Sequence, residues 1–205
     1  MPLHFQLQDM LALGYSVLSR LAYVLYIGLA LRRADAQPVS RDAAAPAYAR
    51  FRRRAALLMY HDGIAFVAVC LLTRGTLDLP VPPAWRFVGA GLVALGVAVK
   101  LWATATLGAD GYYWRDFFEP PETRPAPTIA GPYRWLRNPM YTVGYVQTYG
   151  LALLVASLPG LVAAVFSQGA IVAFYRLVER PHYQRLYGGV AATTARRLRT
   201  SQEPG

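Results

Sequence analysis

Residues 129–144 read IAGPYRWLRNPMYTVG, a basic and aromatic loop that leads directly into a long apolar segment. Asn138 is a favourable N-cap, and Pro139 suits the first turn of a helix, where its missing N–H removes no hydrogen bond. Two arginines, Arg134 and Arg137, flank this helix start. Unpaired backbone N–H groups and the helix dipole add to their charge. The stretch therefore predicts either an anion-binding helix start or a positive loop that only sets membrane topology.

The composition indicates a membrane protein. The 205 residues are 55% hydrophobic, and several apolar stretches approach the ~20 residues needed to span a bilayer. The net charge of +10 comes from arginines placed between apolar segments, which is the positive-inside pattern. Anionic lipid headgroups suffice as partners for these arginines. We therefore expect the bilayer as a partner and no nucleic acid.

Five apolar segments predict an all-α, polytopic membrane helix bundle of about five transmembrane helices in a single domain, residues 1–205. Lipid leaves no other way to satisfy the backbone groups of this many spans. The predicted spans are 11–31, 55–73, 87–107, 140–158 and 161–178. Residues 32–54 carry seven arginines, whereas residues 74–86 carry only two basic residues. We expect the N-terminus outside, and the loop after the third span and the C-terminus in the cytoplasm.

The cysteine and histidine content favours no metal site. Cys70, the single cysteine, lies inside an apolar stretch, which rules out an intramolecular disulfide and a thiolate metal cluster. The three histidines, His4, His61 and His182, are scattered and form no HExxH motif. We therefore predict that the protein binds no metal ion.

A spaced set of residues around the opening stretch resembles a known signature: Gly131-x-Tyr133-x-x-x-Arg137-Asn138-Pro139-x-Tyr141. It is similar to the signature of the isoprenylcysteine carboxyl methyltransferase and phospholipid methyltransferase group, integral-membrane enzymes that use S-adenosylmethionine. Glu179-Arg180 follows one helical hairpin later, where that family has an acidic pair. The resemblance runs from Leu107 to Arg199. Asn138 stands where many members have His, and Arg180 replaces the second acid.

The resemblance implies a cytosolic S-adenosylmethionine pocket framed by the C-terminal hairpin, over about 108–144 and 174–199. The residues expected to bind the cofactor are Gly131, Pro132, Tyr133, Arg137, Asn138, Pro139, Tyr141 and Glu179. The hairpin arms begin and end on one side, so Glu179 should lie close to Arg137. We expect Glu179 to hold the cofactor's ribose hydroxyls or amino group, and Arg137 its carboxylate. Arg180 suits a substrate carboxylate or phosphate, and these three are the candidate catalytic residues.

Two ionisable residues are predicted to lie inside the membrane. Asp62 and Lys100 are each about seven residues from the inner ends of their segments, so ~10 Å deep. Charges at that depth are costly unless paired. They either form a bridge between the second and third helices, or they line a substrate cavity together with His61. Arg20 lies deeper and is expected to snorkel or to pair with Asp62.

The segment Gly111–Phe118 concentrates aromatic residues next to charged ones. One interpretation is an interfacial aromatic belt. The other is a lid that closes over the cofactor and excludes water from the reacting atoms, with Tyr113 and Trp114 as substrate contacts. Both interpretations can hold together.

The sequence therefore predicts an integral-membrane methyltransferase. Its substrate would be lipid-like or prenylated, with methyl transfer from S-adenosylmethionine to the polar end of that molecule, as in isoprenylcysteine carboxyl methyltransferases. The alternative within the class is a phospholipid N-methyltransferase. The alternative from another class is a non-enzymatic transporter or sensor subunit, although the repeated halves typical of transporters are not found.

Overall fold

The computed structural model describes residues 6–37, 40–77, 84–120, 123 and 128–186, and these form a helix bundle without a β-strand. The helices are α1 (Leu7–Ala36), α2 (Arg41–Leu72), α3 (Ala84–Tyr112), α4 (Val146–Leu154) and α5 (Leu158–Phe174). A π-helical turn, Tyr175–Glu179, then extends α5 to Leu186. The predicted all-α bundle is confirmed. The predicted part of the cofactor region over 187–199 lies outside the described residues.

Four helical stretches in the described part of the chain are long and apolar enough to cross a membrane. They are Leu7–Ala36, Asp42–Leu72, Ala84–Phe117 and Leu158–Leu186. The shortest has 29 residues, and at ~1.5 Å per residue each exceeds the ~30 Å hydrocarbon core of a bilayer. Large apolar side chains stay exposed on all four, among them Leu18, Ile64, Phe87 and Val165.

The predicted fourth span, 140–158, differs from the others because its own α-helix has only nine residues, Val146–Leu154, and Leu158 already begins α5. Thr142 has non-helical dihedrals (φ −104°, ψ −94°), so the arm begins as a series of tight turns. The arm nevertheless reaches the end where α2 leads to α3, because the Val155 carbonyl accepts a hydrogen bond from the Gly75 N–H at 3.0 Å. The C-terminal hairpin is therefore present, but one of its arms is irregular.

Glycines set the close spacing of α3 and this irregular arm. A Cβ on Gly89 would lie 2.8 Å from the Gly150 carbonyl oxygen, and a Cβ on Gly96 would lie 2.5 Å from the Gln147 nitrogen. Any larger residue would force the two backbones apart, as at the small-residue contacts of membrane helices. The arm follows the surface of α3 because its backbone contacts α3 directly.

Among the remaining helices, α1 packs against both α2 and α5. In the described residues, α2 and α3 share no extended packing, so a space remains between them. One end of the bundle, called here the Glu179 end, brings together the end of α1, the start of α2 and the loop after α3. Gly108 creates that loop by kinking α3 at φ +71°, directly after Leu107, where the third span was predicted to end.

Candidate functional site

The loop after Gly108 folds into the bundle. Trp114 adopts a left-handed conformation (φ +53°), and its side chain is buried together with those of Phe117 and Phe118 in the main aromatic core. The rings of Phe118 and Phe51 lie 4.9 Å apart. The interpretation as an interfacial aromatic belt is wrong for these three side chains, because they pack in the core. Trp114 instead forms part of a cavity wall.

Glu179 is the centre of this wall. It is 6% exposed, and its Oε1 accepts hydrogen bonds from Trp114 Nε1 (2.5 Å) and from the Tyr141 hydroxyl (2.6 Å). Oε2 accepts none from the described residues. Val178 and Glu179 are both buried although they are neighbours, and both belong to the wider π-helical turn. π-Turns of this kind occur often at functional sites.

A cavity of about 730 Å³ opens next to Glu179 and is called here the polar cavity, because six charged side chains are among those that line it. Five of the eight predicted cofactor residues line it: Tyr133, Arg137, Asn138, Tyr141 and Glu179. Asn138 Oδ1 accepts the Tyr141 N–H at 3.3 Å, as expected of an N-cap, although the regular α-helix begins only at Val146. The structure thus brings the loop and the end of α5 together, as the hairpin argument predicted.

The other predicted residues lie outside this cavity. Gly131 (φ +55°) packs so closely on Thr106 of α3 that no side chain fits, so it fixes the position of the loop. Pro132 and Pro139 are buried behind the cavity wall. Arg180 is exposed and lines neither this cavity nor the one described next, because it points away from the helix face that carries Glu179.

The hydroxyl of Tyr133 is buried beside the cavity and has no hydrogen-bond partner among the described residues. Burial, and then the nearby Glu179 charge, raise the pKa of Tyr133, so this side chain stays protonated. A buried donor without a partner costs free energy. The unpaired hydroxyl therefore points to a polar ligand in the cavity.

Sequence reasoning missed the acidic side of the cavity. Asp110 accepts a contact from Arg115 Nη1 at 2.5 Å, and Arg115 Nε donates to Glu119 at 2.6 Å. Arg115 is thus held by these two carboxylates. The four-residue spacing of Arg115 and Glu119 was the available signal.

A second cavity, of about 450 Å³, lies in the space between α2 and α3 and is lined by all five helices. Four of the five residues expected to contact substrate line it: Asp62, Lys100, Tyr113 and Trp114. His61 does not line it, because its ring is held between α1 and α2 by hydrogen bonds to Tyr15 (2.6 Å) and Ser19 (2.9 Å).

The buried carboxylate in this cavity pairs with α1. Arg20 Nη2 lies 2.6 Å from Asp62 Oδ2, which confirms the predicted pairing of these residues. The alternative bridge between Asp62 and Lys100 is not formed. Lys100 instead places its ammonium 5.4 Å from the ring centroid of Tyr145.

The two cavities meet. Among the described residues, four line both of them and are called here the shared wall: Tyr112, Trp114, Met140 and Tyr141. A ligand in the polar cavity and a ligand between α2 and α3 would therefore approach each other at this wall. Such an arrangement suits the transfer of a small group from a polar donor to an apolar acceptor molecule.

Residues 85–189, about half of the chain, match the family model of the phospholipid methyltransferases. The chain belongs to the phospholipid methyltransferase family. Phosphatidylethanolamine N-methyltransferase of Clavispora lusitaniae is 32% identical over 146 residues, which are 67% of this chain and 17% of that protein. The enzyme of the same name from Arthroderma otae is 39% identical over 101 residues, 49% of this chain and 10% of that protein.

This family membership corrects the functional prediction. It favours the phospholipid methyltransferase alternative over the isoprenylcysteine carboxyl methyltransferase-like function, because the matching model and both relatives carry phospholipid-directed names. The chain spans less than a fifth of the length of these relatives. No solved structure matches the chain.

Proposed function

We propose that this protein is a phospholipid N-methyltransferase that methylates the amino headgroup of a membrane phospholipid with S-adenosylmethionine. The observation that carries the proposal is the shared wall, at which a polar cavity meets an apolar cavity between helices. The names of the relatives support the amine acceptor.

The polar cavity fits the cofactor. When bound, S-adenosylmethionine supplies a methyl group on a positively charged sulfur. Glu179 would accept hydrogen bonds from its hydroxyl or ammonium groups through Oε2, which has no donor among the described residues. Arg137, on the exposed edge of the cavity, would bind its carboxylate. The unpaired Tyr133 hydroxyl would donate to a cofactor oxygen.

The second cavity fits a lipid. Its far part is apolar, with Phe66, Val67, Val93 and Leu151 in the lining, and the shared wall closes the part nearest the cofactor. Since α2 and α3 do not pack along each other, acyl chains can lie between them in contact with the bilayer. The headgroup amine would then reach the aromatic side chains of the shared wall.

An amine must be neutral to accept a methyl group. Moving it from water into this largely apolar cavity disfavours the ammonium form, so the amine would release its proton to water as it enters. The aromatic faces of Tyr112, Trp114 and Tyr141 then stabilise the positive charge that develops on nitrogen. The chain's contribution is alignment, desolvation and electrostatics.

The arginine pattern supports a cytoplasmic Glu179 end. The start of α2, with its run Arg52–Arg54, lies at this end, because the Tyr48 hydroxyl donates to Asp110 at 3.3 Å. We expect a cysteine at Ser40 to be labelled from the cytoplasm and one at Arg74 from outside, both in a Cys70→Ala background. The opposite labelling pattern would place the cofactor cavity on the wrong side.

The experiment that tests the function is turnover by the purified full chain in bilayer nanodiscs. With phosphatidylethanolamine and isotopically labelled S-adenosylmethionine, we expect labelled monomethylated lipid by mass spectrometry. Nanodiscs of phosphatidylglycerol, which has no amine, should yield none. Labelling of an added prenylated cysteine but not of phosphatidylethanolamine would overturn the proposal.

A further inference from the structure

Two cations and one carboxylate share the middle of the cavity between α2 and α3. Arg20 comes from α1, Asp62 from α2 and Lys100 from α3, and all three line the cavity. Asp62 neutralises one cation through its 2.6 Å contact with Arg20. The set therefore keeps one net positive charge in largely apolar surroundings. A charge in such a place is costly unless a counter-charge is bound.

Both cations retain donors that the described residues do not satisfy. Arg20 is 7% exposed, and its Nε is buried without a hydrogen-bond partner although Nη2 contacts Asp62. Lys100 is partly buried, and its ammonium forms no ion pair in the described part of the chain. Its contact is the face of Tyr145, and the Arg20 guanidinium lies over the same ring at 5.9 Å. Both cations thus lie within 6 Å of the centre of the same aromatic ring.

The position of this pair along the cavity matches the order of groups in an amphiphile. The shared wall lies at one end of the cavity, and the apolar group Phe66, Val67, Val93 and Leu151 lies at the other. The cations stand between them, because α3 carries Val93 before Lys100 and Tyr112 after it. A molecule in the cavity would therefore meet aromatic rings, then cations, then apolar side chains.

We propose that Arg20 and Lys100 form a binding site for the phosphodiester anion of the lipid substrate. The proposal rests on the proposed function, since it takes the occupant of this cavity to be a phospholipid. Arg20 Nε and Lys100 Nζ donate to the phosphate oxygens, the amine reaches the shared wall, and the acyl chains lie toward Phe66. Asp62 holds the guanidinium in place. Arg20 and Asp62 precede residue 85, so they lie outside the part of the chain that matches the family model.

The test measures lipid binding without a methyl donor. The purified full chain in neutral detergent is titrated with phosphatidylethanolamine and, separately, with a diacyl lipid that carries a primary amine but no phosphate. Lys100→Met should weaken phosphatidylethanolamine binding about tenfold or more, because a charge-assisted contact is lost. The lipid without phosphate should bind both proteins alike. Lys100→Arg should restore phosphate-dependent binding, and Arg86→Met, an exposed cation at the other end of α3, is the matched control.

A second variant tests the role of the Arg20 guanidinium and still leaves a positive charge beside Asp62. Arg20→Lys keeps the positive charge beside Asp62 but removes Nε, so it should weaken phosphatidylethanolamine binding while the melting temperature stays close to that of the wild type. Equal loss of both lipids in Lys100→Met, or no loss of either, would overturn the site. Since the readout is binding, a phosphate-dependent loss without any methyl transfer would refute the proposed function and leave this site standing.

Discussion

Glu179→Gln is the substitution that most sharply separates a cofactor-binding carboxylate from a general base. In the structure, Oε1 accepts both hydrogen bonds, from Trp114 and Tyr141, and a glutamine oxygen can accept the same two. The change therefore keeps the wall in place and alters only Oε2 and the negative charge. Glutamine is also close to glutamate in volume, so the packing of α5 should not change.

The expected size of the effect follows from the single contact that is lost. A hydrogen bond to a charged group contributes about 1.5–3 kcal/mol, which corresponds to roughly ten- to hundredfold in affinity. If Glu179 binds the cofactor, the dissociation constant for S-adenosylhomocysteine and the KM for S-adenosylmethionine should rise by that factor. The maximal rate should change little, and the pH–rate profile should keep its form.

Calorimetry with S-adenosylhomocysteine and turnover across pH 6–9 measure these quantities. Asp42→Asn is the matched control, because it removes one carboxylate charge from the exposed first turn of α2 at the same end of the bundle. A collapse of kcat with unchanged cofactor KM and a lost acidic limb would refute our reasoning. Glu179 would then be the base that deprotonates the amine.

Two further pairs of variants test the geometry. Arg137→Ala should weaken S-adenosylhomocysteine binding about ten- to hundredfold in calorimetry, whereas Arg180→Ala should leave it unchanged, because Arg137 lines the cavity and Arg180 does not. Equal effects of the two would contradict our placement of the cofactor carboxylate. Gly96→Ala should destabilise the bundle by about 1–3 kcal/mol through contact with the α4 backbone, whereas Gly91→Ala, with open space around it, should not. Thermal melting in detergent distinguishes them, and similar melting temperatures would contradict the close α3–α4 contact.

Much of the polar cavity could be predicted from the sequence, because its residues belong to short sequence motifs that one helical hairpin connects. Tyr141 and Glu179 are far apart in sequence, but a hairpin whose arms share an end must bring them together, and their side chains form a 2.6 Å hydrogen bond. The contact of Trp114 with Glu179 was not predictable in the same way. It depends on the left-handed backbone conformation of Trp114, and tryptophan is not a residue type that prefers this conformation.

The path of the irregular fourth arm could not be predicted from hydropathy. The segment 140–158 is as apolar as a span, yet its path is set by backbone contact with α3, where Gly144 lies close to Lys100 and Gly150 close to Gly89. Similarly, the predicted depth of Asp62 in the membrane indicated that a cation pairs with it, but it did not indicate which cation. The rotation of α1 about its axis brings Arg20 rather than Lys100 to Asp62, and sequence spacing does not fix that rotation.

The two cavities draw partly on different regions of the chain, and for the proposed function this division predicts where substrate choice resides. All the described residues that line the polar cavity lie between Leu107 and Tyr183, inside the part that matches the family model. The cavity for the proposed lipid also takes one side from α1 and α2, including Arg20 and Asp62, which precede that part. Under the proposed function, α3–α5 would hold the cofactor, while the first two helices would set the charge and shape offered to the acceptor. Variation among related proteins in α1 and α2 should then change which lipid is methylated without changing how the methyl donor binds.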